Sequence, residues 1–205
     1  MLDLDSRRPP DEKFENVIWE GRFQPIHVGH LAYIRTLACF GRRVWIYVVA
    51  NERSEEVVED ASTLPVPEFT SEVDPHHLPE KNILPFWLRY RIVVETIHDE
   101  FGCNAPITVC GGRRLDLAWD LYQKILPPNR VFLTPARDEF EKVKAAAWKK
   151  LGEENYVIDV STLPKISATM IRERIRSDQS TRGLLSPVTE KLLSEHGYIG
   201  NLADL

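Results

Sequence analysis

The sequence is short of three things, and each shortage excludes a class of function. It has three cysteines in 205 residues. Cys39, Cys103 and Cys110 show no metal-ligand spacing and cannot all pair within one chain, so a reduced, cytoplasmic setting is the simplest reading. Cys103 and Cys110 straddle a strand start and read as buried small hydrophobes. No apolar run approaches the ~20 residues needed to cross a bilayer, so no membrane partner is expected. There is no basic excess either: the formal net charge is −5. That argues against nucleic acid as a partner, which calls for a basic face, but leaves room for a local basic pocket around a small anion.

What is present describes a globular chain. It is 43% hydrophobic and 28% charged, enough for one ordinary domain with a real core. Residues 1–13 are polar, with Pro9-Pro10, and read as a disordered lead rather than a signal peptide. Residues 14–205 read as a single domain. Strands are expected at Val17–Trp19, Val44–Val49, Ile107–Cys110, Val131–Leu133 and Tyr156–Val160. Helices are expected at His30–Phe40, Phe86–Phe101, Leu115–Leu126, Glu139–Leu151 and Thr169–Arg176. Ser186-Pro187 opens a last helix within a C-terminal tail over 177–205, with Ser as N-cap and Pro at the first helical position. This alternation predicts an α/β fold, a doubly wound parallel sheet of about five strands, with ligands outside the carboxyl ends of the strands. Residues 51–84 break the rhythm with acidic clusters and prolines, and read as an insertion able to cover a site. Within them Asp74, His76 and His77 read as a solvated loop. The helix at 139–151 is charged and amphipathic, and reads as a solvated outer face.

Two segments carry chemistry. Gly21-Arg22-Phe23-Gln24-Pro25-Ile26-His27-Val28-Gly29-His30 lies between the first strand and the first helix. Its glycines allow close approach of backbone to a ligand, and a helix N-terminus offers free N–H groups to phosphate oxygens. His27 and His30, three apart, can share one side of the first turn. The second segment, Ile166-Ser167-Ala168-Thr169-Met170-Ile171-Arg172, follows the last strand. It groups Ser167 as an N-cap with the Thr169 hydroxyl and a guanidinium that can bind phosphate in bidentate fashion.

Together these segments resemble the two signatures of the nucleotidylyltransferase superfamily, (T/H)xGH and ISxTxIR. The first is closest to the archaeal-type nicotinamide-nucleotide adenylyltransferases, with Ile26 in place of Phe. The resemblance implies a Rossmann-like domain that moves NMP from an NTP to a phosphate-bearing acceptor by direct in-line attack, releasing pyrophosphate. It implies nucleotide contacts at Gly21, Arg22, Phe23, Gln24, His27, Gly29, His30, Ser167, Thr169 and Arg172, with His27, His30 and Arg172 catalytic. Mg²⁺ is expected to bridge phosphate oxygens and keep most of its waters, with no protein-built metal site. Acceptor contacts are expected from Arg22, Arg113, Trp119 and Arg137. Trp119 either stacks on an acceptor ring or belongs to the core, and Arg113 and Arg114 either hold an anion or open a solvated helix.

The acceptor side departs from the adenylyltransferase pattern. In Asn82 to Arg91, Trp87 and Tyr90 stand where the family has Thr and Glu, and Pro135-Ala136 replaces an asparagine pair. These departures tilt the reading toward cytidylyl transfer from CTP to a small phosphonate or phosphate. The alternatives are ATP-dependent adenylyl transfer to nicotinamide mononucleotide, and a non-catalytic nucleotide sensor. A homo-oligomer is compatible with either enzyme.

Overall fold

The computed structural model describes residues 3–5, 11–50, 82–115 and 119–200. In chain order the elements are β1 (Asp3–Asp5), β2 (Phe14–Gly21), α1 (Val28–Phe40), β3 (Gly41–Val49), α2 (Phe86–Phe101) and β4 (Ile107–Gly112). Then follow α3 (Trp119–Ile125), β5 (Arg130–Pro135), α4 (Glu139–Lys150), β6 (Asn155–Asp159), α5 (Ala168–Arg176) and α6 (Pro187–Glu195). The expected insertion lies outside the described residues except at its end, Asn82 to Leu84.

All strand pairs are parallel, in the order β1-β6-β5-β2-β3-β4. Five strands match the expectation and the sixth corrects it. Asp3–Asp5, in the supposedly disordered lead, pairs with Val157–Asp159 at the sheet edge, and Leu4 packs against the core. The strand order reverses between β2 and β5, so the crevice above their carboxyl ends is the place for a ligand.

The period of two in the strands assigns the faces. Val17, Trp19, Val44, Ile46, Val48, Val131 and Leu133 point to one face, where α1, α2, α5 and α6 cover them. Ile18, Tyr47, Val49 and Phe132 point to the other, under Trp119 and Tyr122 of α3 and Trp148 of α4. Each apolar side chain so buried contributes about 1.5–3 kcal/mol.

Local signals start the helices as read. Ser186 caps α6 by accepting from the Thr189 N–H, with Pro187 behind it. Asp138 caps α4 by accepting from the Glu141 N–H at 3.0 Å. The C-terminal tail packs α6 on α2, where the buried Thr96 and Thr189 hydroxyls meet at 3.0 Å. It also accepts the Val28 N–H at Leu184 O, which fixes the start of α1. Two cysteines depart from expectation: Cys103 is exposed and Cys110 only half-buried, while Cys39, for which no burial was expected, is exposed. Among the described residues no helix is long and apolar enough to cross a membrane.

Candidate active site

A cleft of about 330 Å³ opens above the carboxyl ends of β2 and β5. Its first wall runs from the end of β2 into α1 and faces the start of α5. Arg22, Phe23, Gln24, His27, His30, Ser167, Thr169 and Arg172 all line it, so the two sequence segments, 145 residues apart at their first residues, meet in space.

His27 is the N-cap of α1. Its carbonyl accepts the His30 and Leu31 N–H groups, and its Nδ1 accepts the His30 N–H at 3.3 Å. An accepting Nδ1 carries no hydrogen, so a neutral His27 bears its hydrogen on Nε2. The His27 and His30 rings stack at 3.6 Å between centroids. Burial, and then the positive Arg137, push His27 down to about 3. Burial, then His27 and Arg137, hold His30 well below its ordinary value. Both imidazoles are therefore held in the neutral form at physiological pH, in which each ring carries one N–H and no charge.

The glycines also serve a purpose within the fold. A Cβ on Gly21 would meet the Phe23 ring at 2.9 Å, and one on Gly29 would meet the His27 ring at 3.1 Å and Pro164 O at 3.2 Å. They make room for side chains of their own segment. Phe23 is buried with φ of 51°, a left-handed conformation costly for a bulky residue, and its ring meets Trp19 and His30 edge-on. It props the His30 ring from behind.

The opposing helix is held by its own cap. Ser167 Oγ accepts the Met170 N–H at 3.1 Å, which leaves its hydroxyl hydrogen free to donate. Arg172 is buried, donating from Nη1 to Gln24 O at 2.9 Å and from Nη2 to Thr169 Oγ1 at 3.0 Å. One guanidinium thus locks α5 to the β2–α1 loop. Arg22 is pushed down to about 10, by burial and then by the nearby Arg172, and stays charged at neutral pH.

The second wall is a correction. Helix α4, read as a solvated outer face, presents Phe140, Glu141, Lys144, Ala147 and Trp148 to the cleft. Lys144 donates to Glu20 O at 3.2 Å and lies 3.5 Å from Glu20 Oε1 and 3.7 Å from Glu141 Oε2. Burial alone would lower its pKa, but the Glu141 and Glu20 carboxylates outweigh that and hold it above the ordinary lysine value. Burial raises Glu141, and Lys144 opposes the shift. The available signal was a lysine in register with Phe140, Ala147 and Trp148, a charge sitting on the apolar stripe.

Of the expected acceptor residues, Arg22 and Arg137 reach the cleft, Arg137 exposed at its rim. Arg113 and Trp119 do not. Arg113 is exposed outside it, and its neighbour Arg114 lines the cleft instead, buried. Trp119 is a core residue, packed beside Phe132 and Trp148 and beneath the Arg130 guanidinium. Its ring has no open face for a ligand. Also missed was Arg89 of α2, fully buried, which donates to Leu84 O, Arg22 O and Val49 O at 2.6–3.0 Å. Gln24 joins that strut through reciprocal bonds with the Leu84 backbone. Gln24 is thus a structural bracket of the loop as well as a cleft residue.

A parallel α/β sheet with helix starts, neutral imidazoles and guanidinia gathered at its switch point is a phosphate-handling enzyme cleft. The sequence model of the cytidylyltransferase-like family matches residues 18–174, and the chain belongs to that family of nucleotidyltransferases. The nucleotidylyltransferase resemblance is thereby borne out.

Curated relatives include the "Probable nicotinate-nucleotide adenylyltransferase" of Cytophaga hutchinsonii, 25% identical over 197 residues, covering 88% of this chain and 96% of that one. The protein of the same name from Staphylococcus saprophyticus is 23% identical, covering 88% and 95%. Among solved structures, a Vibrio parahaemolyticus chain named for nicotinate-nucleotide adenylyl transfer shares the fold at a TM-score of 0.53 and 17% identity, covering 93% of this chain and 98% of that one. A bifunctional NMN adenylyltransferase/ADP ribose pyrophosphatase from Francisella tularensis, complexed with AMP and a manganese ion, also gives 0.53, at 14% identity, covering 90% and 53%. All four are adenylyltransferase names.

Proposed function

We propose that the protein transfers the adenylyl group of ATP to the phosphate of a pyridine mononucleotide, releasing pyrophosphate. The observation that carries the reaction type is the convergence of His27 and His30 with Ser167, Thr169 and Arg172 in one cleft at the sheet's switch point. An oxygen of the acceptor phosphate bonds to the α-phosphorus. The bond from that phosphorus to the α–β bridging oxygen breaks, and pyrophosphate leaves with the electron pair. Catalysis rests on positioning and charge stabilisation, and requires no covalent enzyme intermediate.

In this reading His27 and His30 donate to the α- and β-phosphate oxygens, and being neutral they need not be protonated first. Ser167, Thr169 and Arg172 hold the departing pyrophosphate, and the Gly21 to Gly29 turn shapes the loop beneath it. Arg22, Arg114 and Arg137 hold the acceptor phosphate. Among the described residues no group of three or more His, Cys, Asp or Glu is arranged to hold a metal. The first wall offers N–H and hydroxyl donors, which match phosphate oxygens. Mg²⁺ therefore fits as an ion that enters on the triphosphate and offsets its charge. The choice of ATP and of a pyridine mononucleotide is supported by the relatives' names.

The test is a screen of the purified protein with ATP, CTP, GTP and UTP. Nicotinate mononucleotide, nicotinamide mononucleotide and a panel of small phosphonates serve as acceptors, and pyrophosphate is read out. ATP with a pyridine mononucleotide is expected to give pyrophosphate and a dinucleotide. Turnover with CTP and a phosphonate would overturn the base and the acceptor while keeping the reaction type. Silence with every pair would favour a nucleotide sensor.

A further inference from the structure

The loop between β2 and α1 carries two local costs. Phe23 holds a left-handed conformation, with φ of 51°. Beside it the Arg22 and Arg172 guanidinia line one cleft as like charges, close enough for Arg172 to lower the pKa of Arg22. Strain of this kind lasts only where the surroundings over-determine it. Here two buried guanidinia bracket Phe23. Arg172 Nη1 donates to the Gln24 carbonyl on one side at 2.9 Å, and Arg89 Nη1 to the Arg22 carbonyl on the other at 2.6 Å. Arg172 lines the cleft, whereas Arg89 is fully buried behind it.

We infer that Arg89 is a positioning residue: its buried guanidinium fixes the Arg22 carbonyl and so keeps the Arg22 side chain beside Arg172 in the cleft. The same guanidinium donates from Nη1 to Val49 O at 2.8 Å and from Nε to Leu84 O at 3.0 Å. Val49 ends β3 in register with Gly112 of β4, so Arg89 is referenced to the sheet and not to the loop alone. Leu84 in turn holds the Gln24 side chain through reciprocal bonds of 3.0 and 3.1 Å. Arg22 to Gln24 is thus hung from a strand end and from the start of α2. A planar guanidinium reaches all three carbonyls along fixed lines, which an ammonium on a flexible stem does not. Holding two like charges together before the ligand arrives is preorganisation. An anion entering between them relieves their repulsion and requires no rearrangement of the loop. The consequence for the acceptor rests on the role proposed above for Arg22, whereas anion binding by the Arg22–Arg172 pair does not.

Arg89→Lys keeps the buried charge and loses the fork. Calorimetric titration with inorganic pyrophosphate reads the Arg22–Arg172 pair without turnover. Arg89→Lys should weaken pyrophosphate binding about tenfold, and Arg22→Ala by at least as much. In the Arg22→Ala background Arg89→Lys should change the affinity by less than about twofold, because a residue acting through Arg22 has nothing left to place. Arg89→Gln is a second variant in case the lysine upsets folding, and the same loss of effect is expected there. Equal losses with and without Arg22, or wild-type affinity in a folded Arg89→Lys protein, would overturn the inference. Failure of both variants to fold would do the same, by reducing Arg89 to a strut of the fold, as would a wild type that binds no pyrophosphate. The titrations need no substrate pair. Silence in the substrate screen with a non-additive cycle would remove the adenylyl-transfer reading and leave this role standing.

Discussion

The two walls of the cleft were written into the sequence in different ways. The first wall, from the end of β2 through His27 and His30 to Ser167, Thr169 and Arg172, consists of short contiguous segments at helix starts. Each places its donors through local geometry: an N-cap, a first turn, a glycine that clears space for a ring. The second wall is the flank of α4, where Phe140, Glu141, Lys144, Ala147 and Trp148 act together only because the helix lies against β5 and β6. A wall built from helix termini can be read as a motif, whereas one built from a helix flank looks in sequence like any amphipathic helix. The difference is also electrostatic. The first wall presents neutral donors and guanidinia, while the second holds its lysine between two carboxylates.

The contrast can be broken most forcefully at His30. His30→Ala should lower kcat by two to three orders of magnitude, about 3–4 kcal/mol of barrier, as expected for loss of one preorganised donor. Circular dichroism and the thermal midpoint should barely move, since the ring supports the site rather than the core. Near-normal turnover would remove the first wall from the chemistry. On the second wall the expected effect is on stability. Lys144→Met leaves Glu20 and Glu141 facing each other without their cation, and urea unfolding should report a loss of about 2 kcal/mol, since the three side chains are only 11–16% exposed. Adding Glu141→Gln should restore part of it. Unchanged stability in the single variant would mean that the wall is more solvated than its contacts imply.

A weaker effect separates His27 from the carboxylates by pH. Its folded value, about 3, lies below the ordinary 6.5, so between these limits the unfolded chain binds a proton that the folded chain refuses. Stability from this group is complete above about 6.5 and is lost as the pH falls toward 3. Denaturation midpoints taken through that window should fall less steeply for His27→Asn than for the wild type. Equal slopes would show that the ring is not buried in its neutral form. Smallest of all, Ser167→Ala should cost about 1 kcal/mol through the lost N-cap of α5. It should raise KM for the triphosphate a few-fold, and an unchanged KM would confine Ser167 to capping.

Much of the fold was legible because its signals are local. The expected strands and helices recur within a few residues, the helix at Phe86–Phe101 with its expected bounds. Ser167, Ser186-Pro187 and the period of two assigned helix starts and sheet faces without tertiary information. The edge strand Asp3–Asp5 was not legible, since three residues are too few to show a period and pair only because β6 offers a free edge. Trp119 could be read either as a stacking partner or as core. Only the packing of α3 over Phe132 and Trp148 closes its ring off. Arg113 and Arg114 are chemically alike and adjacent, and the turn after β4 decides which one enters the cleft.

The sequence by itself determined the parallel α/β architecture and the first wall of the cleft. Strand periodicity, caps and the two short segments act over a few residues, where chain geometry leaves little freedom. Only the tertiary structure decided that α4 is a wall rather than a surface, that Arg89 and Arg172 tie the loop together, and that the glycines of the first segment clear space for Phe23 and His27. These depend on contacts between residues far apart in the chain, such as the 148 positions between Gln24 and Arg172. A buried charge or a close-packed ring in such a place takes its meaning from what surrounds it.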